Sequence, residues 1–232
     1  YILQPCLTAL VLSVVFSRGL RLPTQGIPPI LFYLCGLLPW TYFSHGMTTI
    51  CNALTNNSYL INKVYFPRLI IPLSILLFDL IAFAAQFAVF LGFYVFFNAM
   101  GHGEAIPPHG SLLILLPALL LQTIVTALGF GLWLTALSVR YRDFQYLTAL
   151  LMQLWMFATP IIYPSSALSG HWKTVLSFNP MASIVESFRY GFFGTGQITT
   201  AYWLTSLAMS LLVLISGILI FNKVEQTLVD NL

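Results

Sequence analysis

The sequence predicts an all-α, polytopic membrane protein, and three observations carry that expectation. Hydrophobic residues make up 59% of the 232-residue chain and charged residues only 6%, against about 25% charged in a soluble domain. Most of the apolar residues gather in runs of about twenty, the length a helix needs to cross a ~30 Å hydrocarbon core. Polar or Gly- and Pro-punctuated stretches separate the runs. Mean hydropathy is +0.89.

Six spans follow in chain order. The first run, Tyr1 to Ser17, reaches roughly 25 Å at ~1.5 Å per residue, a little short of the core, and Pro5 sits near its start. The chain starts inside that run at Tyr1, with no basic segment before it. It therefore does not read as a signal peptide, and residues ahead of Tyr1 are expected. Arg18 to Pro29 is a Gly- and Pro-rich loop outside the membrane. The second span, about Ile30 to Cys51, carries Pro39, Trp40, Thr41, Ser44 and His45, so that face should look into the bundle or a wet cavity.

The stretch Asn52 to Pro72 (NALTNNSYLINKVYFPRLIIP) must emerge into water, because unpaired backbone groups are not tolerated against lipid. Leu54, Tyr59, Leu60, Val64 and Tyr65 recur at spacings near three and four, which predicts a short amphipathic helix. Asn56, Asn57 and Ser58 are N-cap candidates and Pro67 a stop. Two placements fit such a helix: docked on a partner, or flat at the lipid headgroups with Lys63 and Arg68 on phosphates.

The third span, about Leu73 to Phe97, contains Asp79 and Gln86, and the loop Asn98 to Gly110 follows. The fourth, about Leu112 to Val139, ends at a compact charged turn, Arg140, Tyr141, Arg142 and Asp143. The fifth runs from about Tyr146 to Ile162. From Thr159 to Thr200 the chain is broken by prolines and glycines into apolar pieces of about ten residues. Such pieces are too short to span and read as re-entrant or interfacial helices. The last span is about Ala201 to Phe221, with a polar tail to Leu232. An even number of spans puts both ends on one side. Lys63, Arg68, Arg140, Arg142 and Lys223 would face Arg18, Arg21, Lys173 and Arg189 across the bilayer, a balance that sets no orientation.

Several function classes drop out. The net charge of +3 is too small and too dispersed for nucleic acid. Cys6, Cys35 and Cys51 lack CxxC spacing and read as buried small residues. There is no GxxxxGK[ST], HExxH or GxSxG, so any ATP site belongs to another polypeptide. His102, Glu104 and His109 fit no standard ligand spacing, and no metal is expected. A membrane enzyme on lipid-linked sugars would need converging groups, and the six acidic residues are scattered.

Asp79 is the acidic residue well inside a span. It suits either a proton relay in a proton-coupled secondary transporter, or a structural pair with a basic group such as Arg68 or Arg140. A secondary transporter would need matching broken helices in both halves, and only the region after span five is interrupted. Glu186 and Arg189, three apart, can pair within one helix. Tyr33, Trp40, Tyr42, Trp172, Tyr202 and Trp203 fall near span ends, as in an interfacial belt. Trp155, Phe157 and Tyr163 are less easily placed there, and aromatic faces would also suit a sliding path for sugar rings.

With the layout complete, five motifs resemble the membrane subunit of type-2 ABC exporters. These are ILQP at Ile2 to Pro5, NKVYFPRLIIPLS at Asn62 to Ser74, LSVRYRDF at Leu137 to Phe144, TPIIYP at Thr159 to Pro164, and FNPM with FRYGFFG between Phe178 and Gly194. The chain is most similar to the polysaccharide branch, which exports O-antigen, capsule and teichoic acid. The resemblance implies a single type-2 ABC transporter transmembrane domain over residues 1–232, lacking its N-terminal interfacial helix. The implied fold is all-α, with six transmembrane helices, a cytoplasmic coupling helix and short re-entrant helices before the last span.

It also implies roles. Tyr59, Asn62, Lys63, Tyr65, Arg68, Arg140, Arg142 and Asp143 would couple to the ATPase. Trp155, Phe157 and Tyr163 would line the translocation path, and Pro160, Pro164, Pro180, Glu186 and Arg189 would form the outer gate. Asp79 stays an intramembrane acid of open role. The implied partners are a second copy of the chain, two ABC ATPase subunits holding ATP and Mg, membrane lipid, and a glycan on a polyprenyl diphosphate. Within the family, a smaller lipid or drug is the alternative cargo. The implied location is the bacterial cytoplasmic (inner) membrane.

Overall fold

A computed structural model describes residues 3–56, 69–100, 112–141, 143–167, 171–195 and 199–230; the side chains of residues 18, 53–56, 112–114, 140, 173 and 225–230 fall outside this description. The described residues are helical almost throughout. The elements are α1 (Leu3–Leu12), which runs on into a π-helical turn (Ser13–Gly19), α2 (Pro29–Asn56), α3 (Ile70–Ala99) and α4 (Leu112–Arg140). They continue with α5 (Phe144–Phe157), a 3₁₀ turn (Ser165–Ala167), α6 (His171–Ser177), α7 (Pro180–Phe193) and α8 (Thr200–Asp230).

α2 is the central element. It packs against α1, α3, α4, α5 and α7, and every residue from 31 to 40 is buried. Its polar groups lie beyond that run, where Thr41, Ser44 and Thr48 are half-buried and His45 is exposed, on a face that meets α3. The packing of α2 also corrects the belt expectation, because Tyr33, Trp40 and Tyr42 are core residues. α3 shows the opposite pattern. One stripe, Leu76, Asp79, Phe83, Phe90 and Tyr94, faces inward, while Leu77, Phe78, Ile81 and Val95 are exposed. An apolar outward face on a long apolar helix is what a lipid solvent requires.

α4 and α8 form the most extensive helix pair. Their axes approach closely at two glycines. A Cβ on Gly129 would lie 2.7 Å from the Leu214 nitrogen, and one on Gly217 would lie 2.6 Å from the Gly129 carbonyl oxygen. Side-chain hydrogen bonds stitch the same seam: Gln122 Nε2 donates to Ser206 (2.8 Å), Thr126 to Ser210 (2.9 Å) and Trp133 Nε1 to Ser216 (3.1 Å). Small residues with polar cross-links hold helices together where lipid supplies no hydrophobic drive.

Among the described residues, three helical segments are long and apolar enough to cross a membrane: Ile70–Ala99, Leu115–Val139 and Thr200–Val224. α2 has 28 residues, ample in length at ~42 Å, but its internal polar groups dilute its hydropathy. Leu3–Ser17 is apolar but shorter. Boundaries also shift. Asn52 and Asn56 belong to the end of α2 rather than to a separate element. α5 stops at Phe157, short of the expected Ile162, and α8 continues as helix to Asp230 instead of ending at Phe221.

Candidate functional site

Two cavities gather five of the candidate residues: Trp155, Phe157, Tyr163 and Pro180 in one and Asp79 in the other. The first, about 510 Å³, lies beside the C-terminal half of α5 and under the short helices. Phe130, Trp155, Phe157, Tyr163, Trp172 and Phe178 line it, with Asn179 and Pro180 at its edge. It therefore joins the three predicted path aromatics to three more from α4, α6 and the turn before α7. Trp155 is wedged edge-on between Phe130 (centroids 4.7 Å apart) and Phe43 (5.2 Å). Its indole N–H donates to Asn179 Oδ1 (3.2 Å). That same oxygen caps α7 by accepting from the Met181 N–H (3.1 Å), with Pro180 at the first helical position. Asn and Pro in this order start a helix because the side chain replaces a missing backbone acceptor and the proline needs none. Gly194 ends α7 in the left-handed region, at φ 66°, as such C-caps favour.

The turn that carries Tyr163 into this cavity is fastened to α7. Arg189 is fully buried. Its Nη1 donates to the Pro160 carbonyl and to Glu186 Oε1 (3.1 Å), and its Nη2 donates to the Ile161 carbonyl (2.8 Å). Glu186 Oε1 also accepts from the Ser165 N–H (3.3 Å). The guanidinium sits 3.7 Å above the Phe32 ring of α2. The anticipated i, i+3 pair thus forms, and it does more than neutralise two charges. One planar fork clasps the turn after α5 to α7 and to the central helix, a geometry that lysine lacks. Pro164, whose carbonyl accepts from Ala167 N (3.0 Å), is buried in that turn. Pro180 accepts from the Ser206 hydroxyl of α8 (3.1 Å).

The second cavity, about 490 Å³, opens between α1, α2 and α3. Thr41, Ser44, His45, Thr48, Asp79 and Gln86 line it. His45 Nδ1 lies 2.9 Å from Asp79 Oδ2; the side chains are 43% and 9% exposed, so the histidine faces the opening and the carboxylate sits behind it. The Thr41 hydroxyl bonds Gln86 Oε1 (2.8 Å). The sequence leaves Asp79 either a proton relay or a structural pair with a basic group such as Arg68 or Arg140; the structure bonds it to His45, 34 residues away on α2, while Arg68 and the Arg140 side chain lie outside the description. Sequence reasoning had noted His45 and Gln86 without joining them to Asp79. The available signal was the spacing 41, 44, 45, 48, which places four polar side chains on one helix face.

The coupling candidates are less fully placed. Asp143 is exposed just before α5, and its carbonyl accepts from Tyr146 N (3.1 Å) and Leu147 N (3.2 Å). Arg140 closes α4, with its side chain outside the description. Tyr59, Asn62, Lys63, Tyr65, Arg68 and Arg142 lie outside the described residues, as do His102, Glu104 and His109.

Residues 1–193 match the family described as ABC-2 type transporter. An O-antigen export system permease protein RfbA of Myxococcus xanthus is 30% identical over 194 residues, 82% of this chain and 70% of the relative. Two O-antigen export system permease proteins of Klebsiella pneumoniae are 25% and 24% identical over 231 and 229 residues, each match covering 85% of the relative.

Proposed function

We propose a function from one premise: the chain belongs to the ABC-2 type transporter family. It is the transmembrane subunit of an ABC exporter in the inner membrane, and its cargo is an O-antigen-like polysaccharide, as the relatives' names indicate. The cargo reading draws support from one structural observation, the cavity lined by Trp155, Phe157 and Tyr163 with Trp172 and Phe178. Flat aromatic faces accept the C–H faces of sugar rings with little specificity, which suits a polymer that must slide.

The finer reading has several parts. Six spans cross the membrane, with α2 as a span whose polar face lines a cleft shared with α1 and α3. Two copies of the chain form the pathway and two ATPase subunits, which hold ATP and Mg, drive it. The segment between α2 and α3 is the cytoplasmic coupling helix, joined by the turn at Arg140 to Asp143. ATP-driven closure of the ATPase pair moves these loops, and the rigid helices carry the motion to the path. α6, α7 and the turn at Pro160 to Pro164 form the outer gate, with the Arg189–Glu186 pair as its fastening. The glycan travels on a polyprenyl diphosphate. With ATP as the driving force, Asp79 has no proton-coupled step to serve.

Two substitutions test the coupling element. Tyr65→Ala combined with Lys63→Glu is expected to weaken ATPase co-purification and to stop export of glycan to the cell surface. Unchanged co-purification and export would refute the assignment. For the path, Tyr163→Ala is expected to lower export while leaving assembly with the ATPase intact; normal export would remove Tyr163 from it.

A further inference from the structure

The cleft between α1, α2 and α3 has no role in the gate or the coupling element, and its chemistry is unusual for a membrane helix face. Thr41, Ser44, His45 and Thr48 occupy one face of α2 over two turns, and Asp79 and Gln86 face them from α3, also two turns apart. Gln4 of α1, the rings of Tyr42 and Phe83, and Met152 of α5 also line it. A polar stripe of this length is costly against lipid. Within it, the hydroxyl protons are already committed. Thr48 donates to the Ser44 carbonyl (2.8 Å), Ser44 to the Thr41 carbonyl (3.3 Å) and Thr41 to Gln86 (2.8 Å). Their oxygens retain only lone pairs, and a carboxylate only accepts. Among the described lining residues the hydroxyls therefore offer acceptors, the carboxamides of Gln4 and Gln86 both donate and accept, and there is one carboxylate and no lysine or arginine. A phosphate or diphosphate, itself an acceptor and an anion, is poorly matched. A neutral ligand carrying many O–H donors, with C–H faces for Tyr42 and Phe83, is well matched. The volume, about 490 Å³, falls within the ~300–1,000 Å³ of small-ligand sites.

We propose that this cleft is a second glycan-contact site, in which Asp79, oriented by His45, accepts hydrogen bonds from sugar hydroxyls. The inference rests on the polysaccharide-export reading and adds a polar station to its aromatic one. The two are close: Met152 lines the polar cleft and Trp155 the aromatic cavity, three residues apart on α5. The lipid-diphosphate end of the cargo is held elsewhere.

The test uses the full complex with its ATPase in lipid nanodiscs. Thr48→Cys is introduced together with Cys6→Ser, since Cys35 and Cys51 are buried, and the rate of labelling by a water-soluble maleimide is measured. Lipid-free O-polysaccharide fragments are expected to slow labelling, and adding Asp79→Asn should raise the fragment concentration needed by about fivefold, because the amide oxygen still accepts a hydrogen bond but without the charge that strengthens it. An unchanged labelling rate with glycan overturns the proposal. So does protection by phosphatidylethanolamine in place of glycan, or a disulfide between Thr48→Cys residues of two copies, which would make the cleft a subunit interface. A rate too slow to measure in every sample would mean a closed cleft and would also overturn it. Glycan-stimulated ATP hydrolysis is followed in parallel. If stimulation persists while labelling is insensitive to glycan, the cleft assignment fails and the exporter reading stands. If glycan affects neither, the exporter reading itself fails.

Discussion

Two cavities of nearly equal size, about 510 and about 490 Å³, lie one turn apart along α5 and have opposite linings. One is walled by six aromatic rings from five segments of the chain; the other is walled by hydroxyls, amides and a His–Asp pair from α1, α2 and α3. The difference lies in how each is built. The aromatic cavity depends on irregular chain: the turn after α5, a seven-residue helix and the cap of α7. The polar cleft depends on regular helix, where one face repeats every three to four residues. The first can change shape if the turn moves, whereas the second is as rigid as α2 and α3.

The largest effect that would sharpen this contrast is expected from Arg189→Ala. Removing one member of a buried, hydrogen-bonded pair leaves Glu186 uncompensated and costs about 3–5 kcal/mol. Thermal unfolding of the detergent-solubilised subunit should show this loss, and Arg189→Lys should recover only part of it, because a single ammonium does not reproduce the planar fork. An unchanged unfolding midpoint would mean that the clasp does not hold the aromatic wall. Next in size, Tyr163→Ala with Trp172→Ala should reduce surface glycan about tenfold. Two lost aromatic contacts at ~0.5–1.5 kcal/mol each would account for that. Full export would break the contrast, since the rings would then be ordinary lipid-facing aromatics.

Smaller effects separate packing from transport. Thr41→Val removes the bond to Gln86 across the polar cleft and should cost about 1 kcal/mol in unfolding free energy. It should leave the accessibility of residues around Tyr163 to labelling unchanged; a change there would show that the cavities are one coupled space. Trp155→Phe keeps the ring contacts with Phe43 and Phe130 but loses the indole donor to Asn179. Its expected cost is also ~1 kcal/mol or slightly less, with export within about twofold of normal. A large export loss would show that Trp155 contacts cargo in addition to anchoring the cap of α7.

Much of this site was legible because its signals are local. Glu186 and Arg189 stand three apart, so their pairing follows from helical pitch, and the prolines at 160, 164 and 180 announce the broken region. The polar face of α2 was visible in the same way, as was its need for a bundle or a wet cavity. The pairing of Asp79 was not visible, because the sequence offered several basic groups and no way to rank His45 above Arg68 or Arg140. Trp172 and Phe178 were not joined to the path residues, since nothing in their spacing relates α6 to α5. Tyr33, Trp40 and Tyr42 were misplaced in an interfacial belt for a related reason. Position near the end of a run indicates depth in the membrane but not which helix is surrounded.

What the sequence determined by itself is therefore the solvent and the secondary structure. Hydropathy selects lipid, and lipid leaves the backbone little choice but helix, since every N–H must find its partner within the segment. What only the tertiary structure decided is which polar side chains meet. That outcome rests on the packing of α2 among five other helices, on glycines that let α4 and α8 close up, and on one arginine that fastens a turn to two helices. These contacts join residues tens of positions apart. Their energies depend on helix rotation and axial register, which no local pattern encodes.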